Sequence, residues 1–172
     1  MTADAALALL HRGDLDGALA LLDVTGSAPS SDPGFHAAHG TILLARGDTP
    51  NARVALLTAV ALGDTTNHTL LNLALAEGHA GNTDRSRNLM RMVIERRPVW
   101  DEPWVRLAES HRSAGETALA ETAYRHALDL NPRRSEALVA LAGLLIARGD
   151  GLESRDLLLR CCGTDPDRAE AW

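Results

Sequence analysis

A chain of 172 residues, 45% hydrophobic and 23% charged, is long enough for one folded domain and too apolar for disorder. Its 23 acidic against 17 basic side chains give a net charge of −6, and the only basic blocks are Arg96-Arg97 and Arg133-Arg134, so no nucleic-acid footprint is present. Phe35, Tyr124 and three Trp are the whole aromatic complement, so the core must be built from Leu, Ala and Val, which favours close-packed helices over a β-sandwich.

From the N-terminus, the apolar run Ala5 to Leu10 follows Asp4 with no basic leader and no small-residue cleavage site, so it reads as a helix and not as a secretion signal. Nowhere does the chain approach the roughly 18 uninterrupted apolar residues of a membrane span, and no membrane partner is expected. The first helix stops at Gly13, and the same glycine returns at Gly47, Gly81, Gly115 and Gly149, each 34 residues after the last. Glycine ends a helix cheaply in the left-handed conformation. The residue after it is Asp14, Asp48, Asn82, Glu116 or Asp150, and four of these five are good caps for a following helix.

With this glycine at position 15 of a repeating unit, the chain divides into a clipped first unit, 1–32, and complete units 33–66, 67–100, 101–134 and 135–168, with 169–172 opening a sixth. Each unit is predicted to be a pair of antiparallel helices. Position 8 reads Ala6, Gly40, Ala74, Ala108, Ala142, and position 20 reads Ala18, Ala52, Ser86, Ala120, Ser154. Small residues at two fixed sites imply close approach of the paired helices there. Larger apolar residues recur at position 24 as Leu22, Leu56, Met90, Tyr124 and Leu158. Pro98, Pro132 and Pro166 fall at position 32, where proline stops the second helix; the second unit has Asp64 there, and the first closes in an irregular stretch from Thr25 to Pro33.

The unit 101–134 places Trp104, Leu107, Ala108, Gly115, Ala120, Tyr124, Ala127 and Pro132 at positions 4, 7, 8, 15, 20, 24, 27 and 32. In this pattern and in its period the whole chain resembles the tetratricopeptide repeat family, departing at position 11, where His111 replaces the usual Tyr. The resemblance implies an all-α fold, a right-handed α-α superhelix of helix pairs, and a protein-binding role. It also implies that positions 2, 5, 6, 9, 12 and 13 of each first helix line a concave groove. On that basis the partner-binding residues are His68, Asn72 and His79 from the third unit and Glu102, Arg106, Glu109 and Arg112 from the fourth. Small or apolar residues flank them: Ala37, Ala38, Thr41, Leu44 and Ala45 on one side, Val139, Ala140, Gly143 and Ala147 on the other.

Two of these residues carry recognisable chemistry. The Asn72 carboxamide can donate to and accept from an extended backbone, or simply face water. Arg106 can clamp a carboxylate, or pair along its own helix with Glu102 and Glu109. Some family members hold a chaperone's terminal carboxylate with Lys, Asn and Arg; Asn72 and Arg106 match two of that set, but Glu102 stands where the Lys is needed, which argues against that partner. A protein or peptide segment with polar and small apolar side chains is the expected partner.

Other motifs are absorbed by the repeat. Three Arg-Gly-Asp triplets, beginning at Arg12, Arg46 and Arg148, all fall on the turn, where glycine ends one helix and Asp starts the next. His36 and His39 occupy core positions 4 and 7 and lack a third metal ligand at useful spacing, so no metal site is expected. Cys161 and Cys162 are adjacent, unable to staple distant segments, and read as small buried hydrophobes in a reducing, cytoplasmic setting. No nucleophile elbow, phosphate-binding loop or paired zinc ligands occur, so neither catalysis nor a cofactor is expected within these residues.

The exclusive use of Arg over Lys reads as the coding bias of a GC-rich bacterial genome. Repeat arrays close on a capping helix with a polar outer face, which is missing after Arg168. The expectation is therefore a longer protein, with Leu157, Leu158 and the tail to Trp172 facing solvent and open to self-association. The alternative function that follows is a recruiting arm for an enzyme domain of glycosyltransferase or sulfotransferase type beyond Trp172.

Overall fold

The computed structural model describes residues 2–25 and 31–164, and every regular element among them is a helix. Ten helices form five pairs: α1 (Thr2–His11) with α2 (Leu15–Thr25), α3 (Pro33–Arg46) with α4 (Thr49–Ala61), α5 (Asn67–His79) with α6 (Thr83–Arg96), α7 (Asp101–Ser113) with α8 (Thr117–Leu130), and α9 (Ser135–Arg148) with α10 (Gly151–Thr164). The four complete units begin where α3, α5, α7 and α9 begin. The fold is of the all-α, α-α superhelix class. No helix among the described residues is long and apolar enough to cross a membrane.

Local chemistry accounts for these boundaries. The glycine at position 15 lies in the left-handed region in every pair, as in Gly47 (φ 86°) and Gly149 (φ 96°). Asp14 and Asp48 cap as expected, accepting from the backbone N–H of Gly17 at 2.9 Å and of Asn51 at 3.3 Å. The other turns differ. Glu116 makes no side-chain cap, because its carboxylate lies against His111 Nδ1 at 2.5 Å, and Asn82 donates to Glu77 Oε2 at 2.5 Å. Asp150 pairs with the Arg148 Nε.

At the end of the second repeat, where Asp64 stands in the proline's place, Gly63 takes φ 102° and Asp64 accepts from the Thr66 N–H and the Thr69 hydroxyl, each at 2.9 Å. Thr66 then caps α5 by accepting from the Thr69 N–H at 3.3 Å. A hydrogen-bonded turn thus replaces the proline. Pro166 and the residues 165–172, including Trp172, lie outside the described residues, as do residues 26–30 of the irregular stretch.

The chain divides into two compact units, Met1–Val93 and Ile94–Trp172. In the first, one cluster gathers Ala6, Ala18, Leu19, Leu22, Ile42, Leu43, Ala52 and Ala55, and a second gathers Leu56, Leu73 and Ala76. In the second, Tyr124 sits fully buried among Val105, Ala108, Ala120, Ala127, Leu138, Leu141 and Leu145. Each fully buried leucine contributes about 1.5–3 kcal/mol through removal from water.

All ten small residues at positions 8 and 20 are buried, and Ser86 closes its contact by donating to the Ala74 carbonyl at 2.7 Å. Cys161 is buried and Cys162 half-buried, both with free thiols. Leu157 departs from expectation: it is buried in the second unit's core, because it turns toward α9 and α8, and only Leu158 is half-buried while Leu152 and Leu159 are exposed.

Candidate functional site

In the first unit the α5 residues His68 and His79 are exposed and Asn72 is half-buried. Asn72 Nδ2 donates to Thr41 Oγ1 at 2.9 Å, and that hydroxyl donates in turn to the Ala37 carbonyl at 2.8 Å. The carboxamide is thereby oriented from the neighbouring helix pair, and its oxygen and second N–H make no hydrogen bond among the described residues. Of the flanking small residues, Ala38 is buried and so belongs to the core, while Ala37, Thr41 and Leu44 are half-buried and Ala45 is exposed. His36 and His39 are half-buried around Phe35, at ring-centroid distances of 5.5 and 6.1 Å. No group of three or more possible metal ligands exists among the described residues.

In the second unit Glu102, Arg106 and Glu109 are drawn into one ion network on α7. Arg106 reaches Glu102 Oε1 at 2.6 Å and Glu109 Oε2 at 3.0 Å, so the pairing along its own helix is the arrangement formed, and the guanidinium is occupied within the chain. Burial works against the charged Arg106, but Glu102 and Glu109 outweigh it and its pKa is raised. Arg134, just before α9, ties in Asp101 at 3.4 Å, Glu136 at 2.8 Å and Glu102. Asp101, Glu102, Glu109 and Glu136 against Arg106 and Arg134 leave this cluster with two negative charges in excess.

Arg112 stands apart from that network and is exposed. It borders a surface cavity of about 530 Å³ whose other lining residues all come from α9: Glu136, Val139, Ala140, Gly143 and Leu144. These stand at repeat positions 12, 2, 5, 6, 9 and 10, so the cavity lies on the face assigned to partner binding. Burial pushes the Tyr124 phenol up, and the Arg112 guanidinium opposes part of that shift. The hydroxyl itself has no hydrogen-bond partner of full geometry. Gly143 opens the floor, since a Cβ there would meet nothing within 4 Å.

Three features escaped the sequence reading. Glu136 stands at a groove position and Leu144 beside one, and neither was singled out. Glu77, at position 11 on α5, is fully buried; Arg53 Nε donates to its Oε2 at 2.9 Å, and Arg85 approaches its Oε1 at 3.2 Å. Burial alone would raise this carboxyl, but the Asn82 and Arg53 hydrogen bonds and the Arg85 and Arg53 charges outweigh it and hold it below the ordinary carboxylate value. The signal was available, because position 11 reads Leu9, Leu43, Glu77, His111, Leu145. A surface cavity of about 520 Å³ adjoins this cluster, lined by Arg53, Asn82, Thr83, Asp84 and Arg85.

Residues 105–169 match the family described as tetratricopeptide repeat. No curated protein matches the chain. Among solved structures, the chain is similar to PilF of Pseudomonas aeruginosa, at 16% identity and a TM-score of 0.81 over 95% of this chain and 74% of that one. It is also similar to MamA of Desulfovibrio magneticus, at 14% identity and a TM-score of 0.78 over 97% and 94% of the two chains. A third is YrrB, described as a tetratricopeptide repeat protein with an unusual peptide-binding site, at 14% identity and a TM-score of 0.71 over 98% and 87%.

Proposed function

We propose that this chain, a member of the tetratricopeptide repeat family, is a scaffold that holds a protein partner by an extended segment and performs no chemistry on it. The observation that carries the reading is the cavity between Arg112 and the Val139, Ala140, Gly143 and Leu144 face of α9. It is concave, largely apolar and edged by opposite charges, as a site for an extended peptide requires. The similarity to YrrB, a repeat protein with a peptide-binding site, supports the same reading.

Within the second unit Arg112 is the residue that addresses the partner, while Glu102, Arg106 and Glu109 shape the acidic wall. Within the first unit Asn72, flanked on α5 by His68 and His79, offers an oriented carboxamide to a partner's backbone. Such an oriented group loses little freedom on binding, which favours its use as a backbone reader.

Panning a random-heptapeptide phage library on the folded protein tests this. Selected peptides are expected to lose at least tenfold in affinity for Gly143→Leu, whose Cβ would meet nothing within 4 Å and whose side chain would occupy the cavity. Asn72→Ala reports in the same way on the α5 face. A library that yields no binders, or binders indifferent to both substitutions, would sink the reading.

A further inference from the structure

We infer that the α7 and α9 face selects a segment in which one apolar side chain is bracketed by a basic residue on the Glu136 side and an acidic residue on the Arg112 side; this rests on the peptide-scaffold reading above. The inference starts from the charges at the two ends of the cavity. At the end where α9 begins, Asp101, Glu102 and Glu136 exceed Arg134 by two negative charges, while Arg106 and Glu109 pair further along α7. Arg134 there is already engaged by all three carboxylates, and 43% of the Glu136 side chain is exposed to receive a further cation. At the other end Arg112 is exposed and forms no ion pair among the described residues, the Glu109 one turn before it on α7 being engaged by Arg106.

The middle of the cavity has a different character. Val139, Ala140 and Leu144 are half-buried and Gly143 is exposed, so the floor is an apolar shelf with a notch at the glycine. Nothing there can satisfy a polar group, and a polar side chain on the shelf would lose its water uncompensated. A Leu, Val or Met side chain fits instead.

Spacing links the three subsites. Glu136 stands at repeat position 2 and Arg112 at position 12, a difference of about 15 Å along the helix direction at 1.5 Å per residue. An extended chain advances about 3.3 Å per residue, so the bracketing charges fall about four or five residues apart with the apolar anchor between them. Like-signed charges at either end would meet repulsion, which gives the surface selectivity as well as affinity.

The same heptapeptide library decides the matter when the selected sequences are read and retested. The expected pool shows a basic, an apolar and an acidic residue in that order or its reverse, about two residues apart. Its members should lose at least tenfold in affinity for Gly143→Leu, and for Arg112→Glu that loss should be recovered when the peptide's acidic residue is changed to Lys. Circular dichroism melts of both variants, expected at or above the wild-type midpoint for Gly143→Leu, separate blocked binding from unfolding. Peptides that require Gly143 but lack the charge pattern, or that show no rescue by the charge swap, would overturn this inference while leaving the scaffold reading intact. Peptides indifferent to Gly143→Leu would overturn both.

Discussion

Glu77 occupies a repeat position that is Leu9, Leu43 and Leu145 in other copies, and it does so without any exposure to water. A carboxylate there loses its hydration, which Arg53, Arg85 and Asn82 offset, whereas a leucine at the same place would lose no hydration and would bury apolar surface instead. Its partners are not similarly confined, since 34% of the Arg53 side chain and 52% of the Arg85 side chain remain exposed. Replacing the carboxylate by the leucine of its sister repeats therefore leaves no buried charge behind, because both arginines can turn to solvent. Removing Arg53 instead leaves the buried carboxylate with one fewer donor. Glu77→Leu is expected to be neutral or stabilising by up to about 4 kcal/mol, whereas Arg53→Met should cost about 1–3 kcal/mol. Urea unfolding of both variants checks the contrast, and equal losses would refute it.

At the scale of the helix pair, the same residue type has opposite meanings at two places. A Cβ on Gly40 would stand 2.5 Å from Leu56 Cγ and 3.1 Å from the Ala52 carbonyl oxygen, so α3 and α4 touch through that glycine. Gly40→Ala should cost about 1–3 kcal/mol by overpacking. Gly143, mid-helix on α9, meets nothing, and Gly143→Ala should gain about 0.5–1 kcal/mol from helix propensity alone. Thermal melts moving in opposite directions are the expected result; two shifts of the same sign would contradict it.

This contrast also marks what could be read from sequence. Position 8 was legible because close helix approach demands a small residue in every copy, and the five copies repeat that demand. The turns at Asp14 and Asp48 were legible for the same reason. The Arg106 pairs with Glu102 and Glu109 were legible from helical spacing, but the Arg134 part of the network was not, because Arg134 meets Asp101 and Glu102 across a separation of 33 and 32 residues, and Glu136 only two residues away. Periodicity specifies where such side chains stand and leaves their choice of partner to packing. Asn82 and Glu116 show the same limit, since their side chains turn back to a carboxylate and an imidazole on the preceding helix.

Among the described residues, each compact unit of the whole molecule holds one buried, ion-paired carboxylate, Glu77 in residues 1–93 and Glu121 in residues 94–172. Glu121 is gripped by Arg148 at 2.6 Å and by Arg125, and Arg125 is itself held by Glu153 at 2.8 Å. Burial would raise the Glu121 carboxyl, but the Arg125 and Arg148 hydrogen bonds and charges overcome it, so that its pKa is lowered like that of Glu77. A group whose folded pKa lies below its unfolded value contributes stability that is fully present above the unfolded value and is lost as pH falls through the folded one. With the ordinary value at 4.5, the loss begins near that pH and deepens below it. The melting temperature of the protein should therefore hold steady from pH 7 to about 5 and fall steeply toward pH 3. Glu77→Leu removes one of the two carboxylates and should flatten that fall, even though it leaves the plateau unchanged or higher. Circular dichroism melts across this range check the sign directly: a wild-type protein whose midpoint rose on acidification, or a variant whose profile overlaid the wild type below pH 5, would show that these ion pairs do not couple folding to protons.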